Sequence, residues 1–185
     1  VFAKHGIVMN QEKAPRDLGV ANTAGKRRSL RMVKQRISKA CARNRRIQHL
    51  VRKNKMASKL YRTGTCPAAT YGHQVAGLNM TRIRKLRALA VQASGYAKPG
   101  RRATSIIGLC HGPWHDPYYR IRAEVLMTWV NHWHSAYRQQ DDMREAWTYY
   151  VRDGRVCDGN HWSRVRGPIG VVVATLIDFE TPYCT

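Results

Sequence analysis

Five side chains able to ligate a metal or move a proton fall in two short stretches: Cys110, His111 and His115 in one, Cys157 and His161 in the other. Cys157-x3-His161 has a usable zinc-ligand spacing. Cys110 and His111 are adjacent, however, which aims their side chains awkwardly for one tetrahedral ion. Loop histidines beside a buried free cysteine describe the pattern better, so no metal site and no bound cofactor are expected. His115, Asp116 and Glu124 are the nearest approach to an acid–base or metal-dependent nuclease set, yet His115-Asp116-Pro117 reads as well as a side-chain-capped turn ahead of a helix. The chain contains no Walker loop, GxGxxG element, HExxH helix or Tyr/Phe-x-Asp-Asp strand, so it carries no visible carboxylate pair for a two-metal polymerase centre.

What the sequence offers in quantity is phosphate chemistry. Residues 1–102 hold 25 Lys/Arg against two acidic residues, whereas residues 103–185 hold eight against nine. A net charge of +22 repels itself in a compact chain unless an anion lies against it, and phosphate is the usual anion. Fifteen of the cations fall between Lys26 and Arg62 with no acid among them: Lys26, Arg27, Arg28, Arg31, Lys34, Arg36, Lys39, Arg43, Arg45, Arg46, Arg52, Lys53, Lys55, Lys59 and Arg62. A merely solvated helix face mixes both signs, so these side chains are expected to contact nucleic acid. Arg82, Arg84, Lys85 and Arg87 form a second basic cluster of the same kind. RNA, DNA and an RNA–DNA hybrid all remain open as partners.

These cations need elements to hold them, and the patterning is mainly helical. From Ser29 to Tyr61, Leu30, Val33, Ile37, Ala40, Cys41, Ile47, Leu50, Val51, Ala57 and Leu60 recur three or four apart, the mark of one buried stripe. Thr63-Gly64-Thr65-Cys66-Pro67 is expected to break that helix and reverse the chain. A small apolar arm follows from Ala68 to Leu78. Asn79 or Thr81 then caps a helix with Ile83, Leu86, Leu89, Ala90 and Ala93 inward. A compositional boundary falls near Pro99–Arg102. Beyond it, Tyr118–Tyr137 resumes helical spacing with Ile121, Val125, Trp129, Val130 and Trp133 inward. Asp141 or Asp142 caps a helix through Tyr150, Asp153–His161 is a polar turn, and Pro168 opens an apolar helix through Ile177. At the N-terminus, Gly6–Asn10 and Leu18–Val20 read as short strands, the only β-structure expected.

Five cysteines (Cys41, Cys66, Cys110, Cys157, Cys184) at irregular spacing, without a CxxC pair, argue against a disulfide framework and for a reducing compartment. The longest apolar stretch, Ile169–Ile177, is about half of what spans a bilayer, and no charged region precedes an apolar run at the N-terminus. An intracellular setting, nuclear or cytoplasmic and without a membrane, is the expectation. A start on Val1 and an untapered end at Thr185 suggest a piece of a longer protein.

The serial order of features resembles the segment downstream of the catalytic Asp-Asp in reverse transcriptases of non-LTR (LINE-type) retrotransposons. The resemblance rests on Gly6-Ile7-Val8-Met9-Asn10 through Lys13, Leu18-Gly19-Val20, the basic helix, Leu60-Tyr61-Arg62-Thr63-Gly64, Ala69-Thr70-Tyr71-Gly72 and Leu86–Ala90. Residues 1–95 carry most of it, and Arg166-Gly167-Pro168-Ile169 continues it loosely. It implies three parts: an end-of-palm strand and turn over 1–22, a basic thumb-like helical domain over 23–98, and a Trp-rich helical connection module over 99–185. It implies too that Lys13 is the palm lysine, either a proton donor to leaving pyrophosphate or a plain phosphate contact. Tyr61, Tyr71 and His73 would stack or hydrogen-bond along the primer–template, unless they are buried. The fingers, most of the palm and their Mg²⁺-binding carboxylates would belong to upstream parts of the same polyprotein, so this chain would grip nucleic acid without polymerising alone. The alternative is a standalone basic RNA-binding or architectural protein of ribosome-associated type, for which the acid-free helix suffices.

Overall fold

The computed structural model describes residues 16–17, 20–21, 29–152 and 161–179. Within them the protein is mainly helical, as the 3.6-residue patterning requires. Arg16–Asp17 (β1) pairs antiparallel with Val20–Ala21 (β2), with Arg16 opposite Ala21 and Asp17 opposite Val20. The expected Gly6–Asn10 strand and the residue Lys13 lie outside the described residues, as do Lys26, Arg27 and Arg28.

The first long helix, α1 (Arg31–Lys53), buries Val33, Ile37, Ala40, Asn44, Ile47 and Val51, an alternation of four- and three-residue steps that keeps one face inward. Asn44 fills a position in the stripe that polarity hides from an apolar count. It is fully buried, and its amide donates to Gln92 Oε1 at 3.4 Å. Two expected core residues are outside: Leu50 is 49% exposed and Leu60 47%. Leu50 is out of phase with Val51 by about 100° on the helix, and Leu60 follows the point where α1 stops. That stop is at Asn54, not at the expected Thr63–Pro67. Asn54 is extended (φ −139°, ψ 112°), and its side chain accepts the Met56 N–H at 2.9 Å, capping a tight turn over Lys55–Ser58. A short amide that can bond its own downstream backbone competes with helix continuation, which is why the helix ends there. Gly64 instead lies inside a wide helical turn, Tyr61–Thr65, that runs directly into α2 (Cys66–Thr70) with Pro67 in the first turn.

After α2, the Tyr71-Gly72 corner leads to α3 (His73–Ala76) and then α4 (Met80–Ser94). Asn79 caps α4, accepting the Arg82 N–H at 3.3 Å, and Ile83, Leu86, Leu89, Ala90 and Ala93 are buried as expected. Gly95 closes α4 in the left-handed region (φ 75°), where a Cβ would stand 2.7 Å from Val51 Cγ1 on α1. Gly95→Ala combines a strained backbone with a rigid clash, so it is expected to destabilise the fold by about 2–4 kcal/mol. A urea midpoint unchanged from that of the parent protein would refute this close approach.

The remaining helices are α5 (Ala103–His111), α6 (Pro117–Ser135), α7 (Gln140–Arg152), α8 (His161–Arg164) and α9 (Gly167–Ile177). Pro117 and Pro168 sit in the first turns of α6 and α9, and Asp116 caps α6 by accepting the Tyr118 N–H at 2.9 Å. Asp141 and Asp142 fall within the first turn of α7, where negative charge favours the helix dipole. Among the described residues, no helix is long and apolar enough to cross a membrane.

Two apolar clusters result. The first joins α1, Tyr61, Cys66, Ala69, Leu78 and α4 to Ile107 of α5 and Ile121 of α6, so it continues across the compositional boundary near residue 99. The second is built of Val125, Val165, Val171, Val172 and Ala174, with Trp129, Trp147 and Trp162 packed half-buried around it. The tryptophans thus form the margin of a valine core; Trp129 and Trp147 stack at 5.9 Å, and Val130 is exposed rather than inward.

Candidate nucleic-acid interface

With the buried stripe of α1 fixed, its cations can be placed around the helix at about 100° per residue. The crest opposite the core is Gln35, Ser38, Ala42 and His49, with Arg31 and Lys53 at its two ends, and all six are exposed. Lys39, Arg43 and Arg46 line one flank of this crest; Lys34, Arg45 and Arg52 line the other. All six flanking cations are exposed, and neither they nor Arg31 and Lys53 have a carboxylate partner among the described residues. At about 1.5 Å per residue the 23-residue helix is about 35 Å long, close to one turn of a double helix. Lys55 and Lys59 extend the exposed basic line past Asn54, and Arg84 and Lys85 are exposed on α4.

Four other expected phosphate contacts are held by the protein itself. Arg36 donates to the Tyr71 carbonyl at 2.6 Å and lies over the Tyr71 ring. Arg62 donates to the His111 carbonyl at 3.3 Å, and Arg82 to Asn79 Oδ1 at 3.0 Å. Arg87 bridges Thr104 Oγ1 at 2.7 Å and Asp116 Oδ2 at 2.8 Å. The guanidiniums of Arg36, Arg62 and Arg87 join separate elements, whereas that of Arg82 stays on the cap of its own helix. The sequence marked them only as basic residues, because their acceptors lie 35, 49 and 29 positions away for Arg36, Arg62 and Arg87.

Of the residues proposed to stack on nucleic acid, Tyr61 is buried, with its hydroxyl donating to the Leu86 carbonyl at 2.7 Å. Burial drives its phenol well above the ordinary range. His73 is buried too: Nδ1 lies 2.7 Å from the Thr70 carbonyl and Nε2 3.3 Å from Glu124. Tyr71 is exposed under Arg36 and keeps a ring surface outside.

Two of the candidate ligand histidines, His111 and His161, have a ring nitrogen engaged within the fold. His111 Nε2 lies 3.0 Å from the Ala90 carbonyl, and His161 Nε2 lies 2.9 Å from Asp178, a carboxylate that the sequence did not single out. Cys157 lies outside the described residues. No three His, Cys, Asp or Glu side chains among the described residues gather as a metal would require. Three carboxylates among the described residues are already engaged by the protein's own donors. Asp116 is taken by Tyr118 N–H and Arg87, Glu124 by Arg120 at 2.6 Å and His73, and Asp178 by Arg122 and His161.

Burial holds the His73 and His111 imidazoles below their ordinary pKa of about 6.5. For His73 the Glu124 carboxylate opposes this, but Arg120 already engages that carboxylate, and desolvation prevails. The folded state therefore binds fewer protons than the unfolded chain just below pH 6.5, so stability is full above that pH and declines as the pH falls through it. Urea midpoints at pH 7.5 and 5.5 should differ in that direction, and His111→Gln should reduce the difference. A midpoint flat across this range would contradict the buried neutral imidazoles.

No family model, curated protein or solved structure matches the chain.

Proposed function

We propose that this protein grips nucleic acid through α1, as the thumb of an RNA-directed DNA polymerase does, while residues 99–185 form a connection module. The observation that carries the reading is the layout of α1: an exposed crest of Gln35, Ser38, Ala42 and His49 between two flanks of cations that have no carboxylate partner among the described residues, about one double-helical turn long. The small side chains of Ser38 and Ala42 at the middle of the crest let the helix approach a groove closely, and each flank then meets a phosphate row. Contacts of this kind are independent of sequence and depend steeply on salt. Lys13, outside the described residues, is the phosphate or pyrophosphate contact in this reading, and Mg²⁺ chemistry belongs to upstream parts of the polymerase. The motif order from Gly6 to Ala90 supports the polymerase assignment over a generic basic protein.

The experiment is a salt titration of binding to duplex DNA, RNA–DNA hybrid and structured RNA, with primer extension in Mg²⁺ run alongside. Binding to duplex or hybrid that falls steeply with salt, with no nucleotide incorporated by this chain alone, is the expected result. Nucleotide incorporation would refute a purely gripping role. Strong preference for structured RNA over hybrid would favour the ribosome-associated alternative, and no binding at low salt would overturn both.

A further inference from the structure

Where α1 ends, the surface opens into a groove of about 650 Å³ between the Lys55–Ser58 turn, the end of α4 and one side of α5. That volume lies within the roughly 300–1,000 Å³ of small-ligand sites. Its floor is apolar and open to solvent: Leu109 is 89% exposed, Met56 59% and Tyr96 44%, beside buried Ile106. Its rim is cationic, with Lys55, Arg101 and Arg102, and none of the described residues that line it is acidic. The Lys55 ammonium stands 5.0 Å over the Tyr96 ring, and Arg101 donates to the Tyr96 carbonyl at 3.4 Å, so the aromatic floor and the positive rim are tied together. An apolar patch this exposed marks a binding surface, and an acid-free cationic rim selects an anion with a flat apolar portion.

We propose that this groove takes one unpaired nucleotide at the end of a strand whose duplex portion lies along α1. Base and ribose lie against Met56, Tyr96 and Leu109, and the adjoining phosphates meet Arg101 and Arg102. The groove directly continues the cation line of Arg52, Lys53 and Lys55, so a strand following α1 arrives at it. This inference rests on the nucleic-acid reading above and adds to it a site for a non-duplex end.

The test compares the full chain's affinity for three oligonucleotides of equal phosphate number: a blunt duplex, a shorter duplex that ends in an unpaired extension, and that extended duplex with the first base of its extension removed to leave an abasic sugar. Base stacking is worth about 1–3 kcal/mol, so the extended duplex should bind roughly 5- to 150-fold more tightly than the other two. Leu109→Ser, at a fully open position, should abolish that preference while leaving blunt-duplex affinity unchanged. Equal affinities for all three oligonucleotides, with duplex still bound, would overturn the groove and leave the α1 reading standing. Failure to bind any of them would overturn the α1 reading itself. A preference that survives Leu109→Ser also overturns the groove, as does Leu109-dependent self-association without any base effect, which would assign the surface to a second copy.

Discussion

Replacing Arg43, Arg45 and Arg46 by alanine is expected to flatten the salt dependence of duplex binding by about three units of log K against log salt, one per lost phosphate contact. At 0.1 M salt the affinity loss should be on the order of 10²-fold, and similar for unrelated sequences, because these side chains meet phosphates rather than base edges. All three are exposed and lack carboxylate partners among the described residues, so the fold should be nearly untouched. Arg36, Arg62 and Arg87 supply the contrast. Each is hydrogen-bonded across to another element, so removing them should cost stability while leaving the slope closer to that of the parent. Filter binding or anisotropy at four or more salt concentrations decides the matter. An unchanged slope in the triple variant would move the interface off α1.

Asp178→Ala is expected to be among the most damaging single changes in the protein. Asp178 is nearly buried just past α9, where it receives the Arg122 guanidinium at 3.0 Å, His161 Nε2 at 2.9 Å and the Trp162 indole N–H at 3.1 Å. Arg122 is itself buried, stacked 4.2 Å from the Tyr118 ring centroid, and cannot swing to water without unpacking α6. Removing the carboxylate strands a buried cation and an indole donor, which costs about 3–5 kcal/mol. For a chain of this size that is a fall in Tm of roughly 6–20 °C. The paired variant Arg122→Met, Asp178→Leu should recover part of the loss, because apolar replacement of both partners removes the uncompensated charge. If the double variant is no more stable than Asp178→Ala, or the single variant melts with the parent, the ion pair is not what joins α6 to α9.

The fold class, Asn79 as one of two candidate caps, the prolines of α2 and α9 and the inward face of α4 could be read from the sequence, because each is a local rule in which spacing or a turn residue acts within a few positions. The reading failed at Asn54 and Leu60 for one reason: α1 looked like an unbroken helix, and the asparagine that ends it carries no apolar signal; Leu50 failed separately, one position out of phase with the buried Val51. Asn44 was missed by the same logic, as a polar residue that the core accepts only because Gln92 meets it from α4. The basic face was visible, since charge can be counted. Which of its arginines point outward and which brace the helices was not, because their acceptors are supplied by other helices. Asp178 with Arg122 lay furthest beyond reach, the two being 56 residues apart with neither in a motif.

Ile121 belongs to the first apolar cluster and Val125 to the second, four residues apart on the same helix. α6 is therefore a single shaft anchored in both clusters, and one continuous helix links them at this point. A twist or pull applied at the tryptophan-bordered end reaches the α1 and α4 end as torque on one rigid rod.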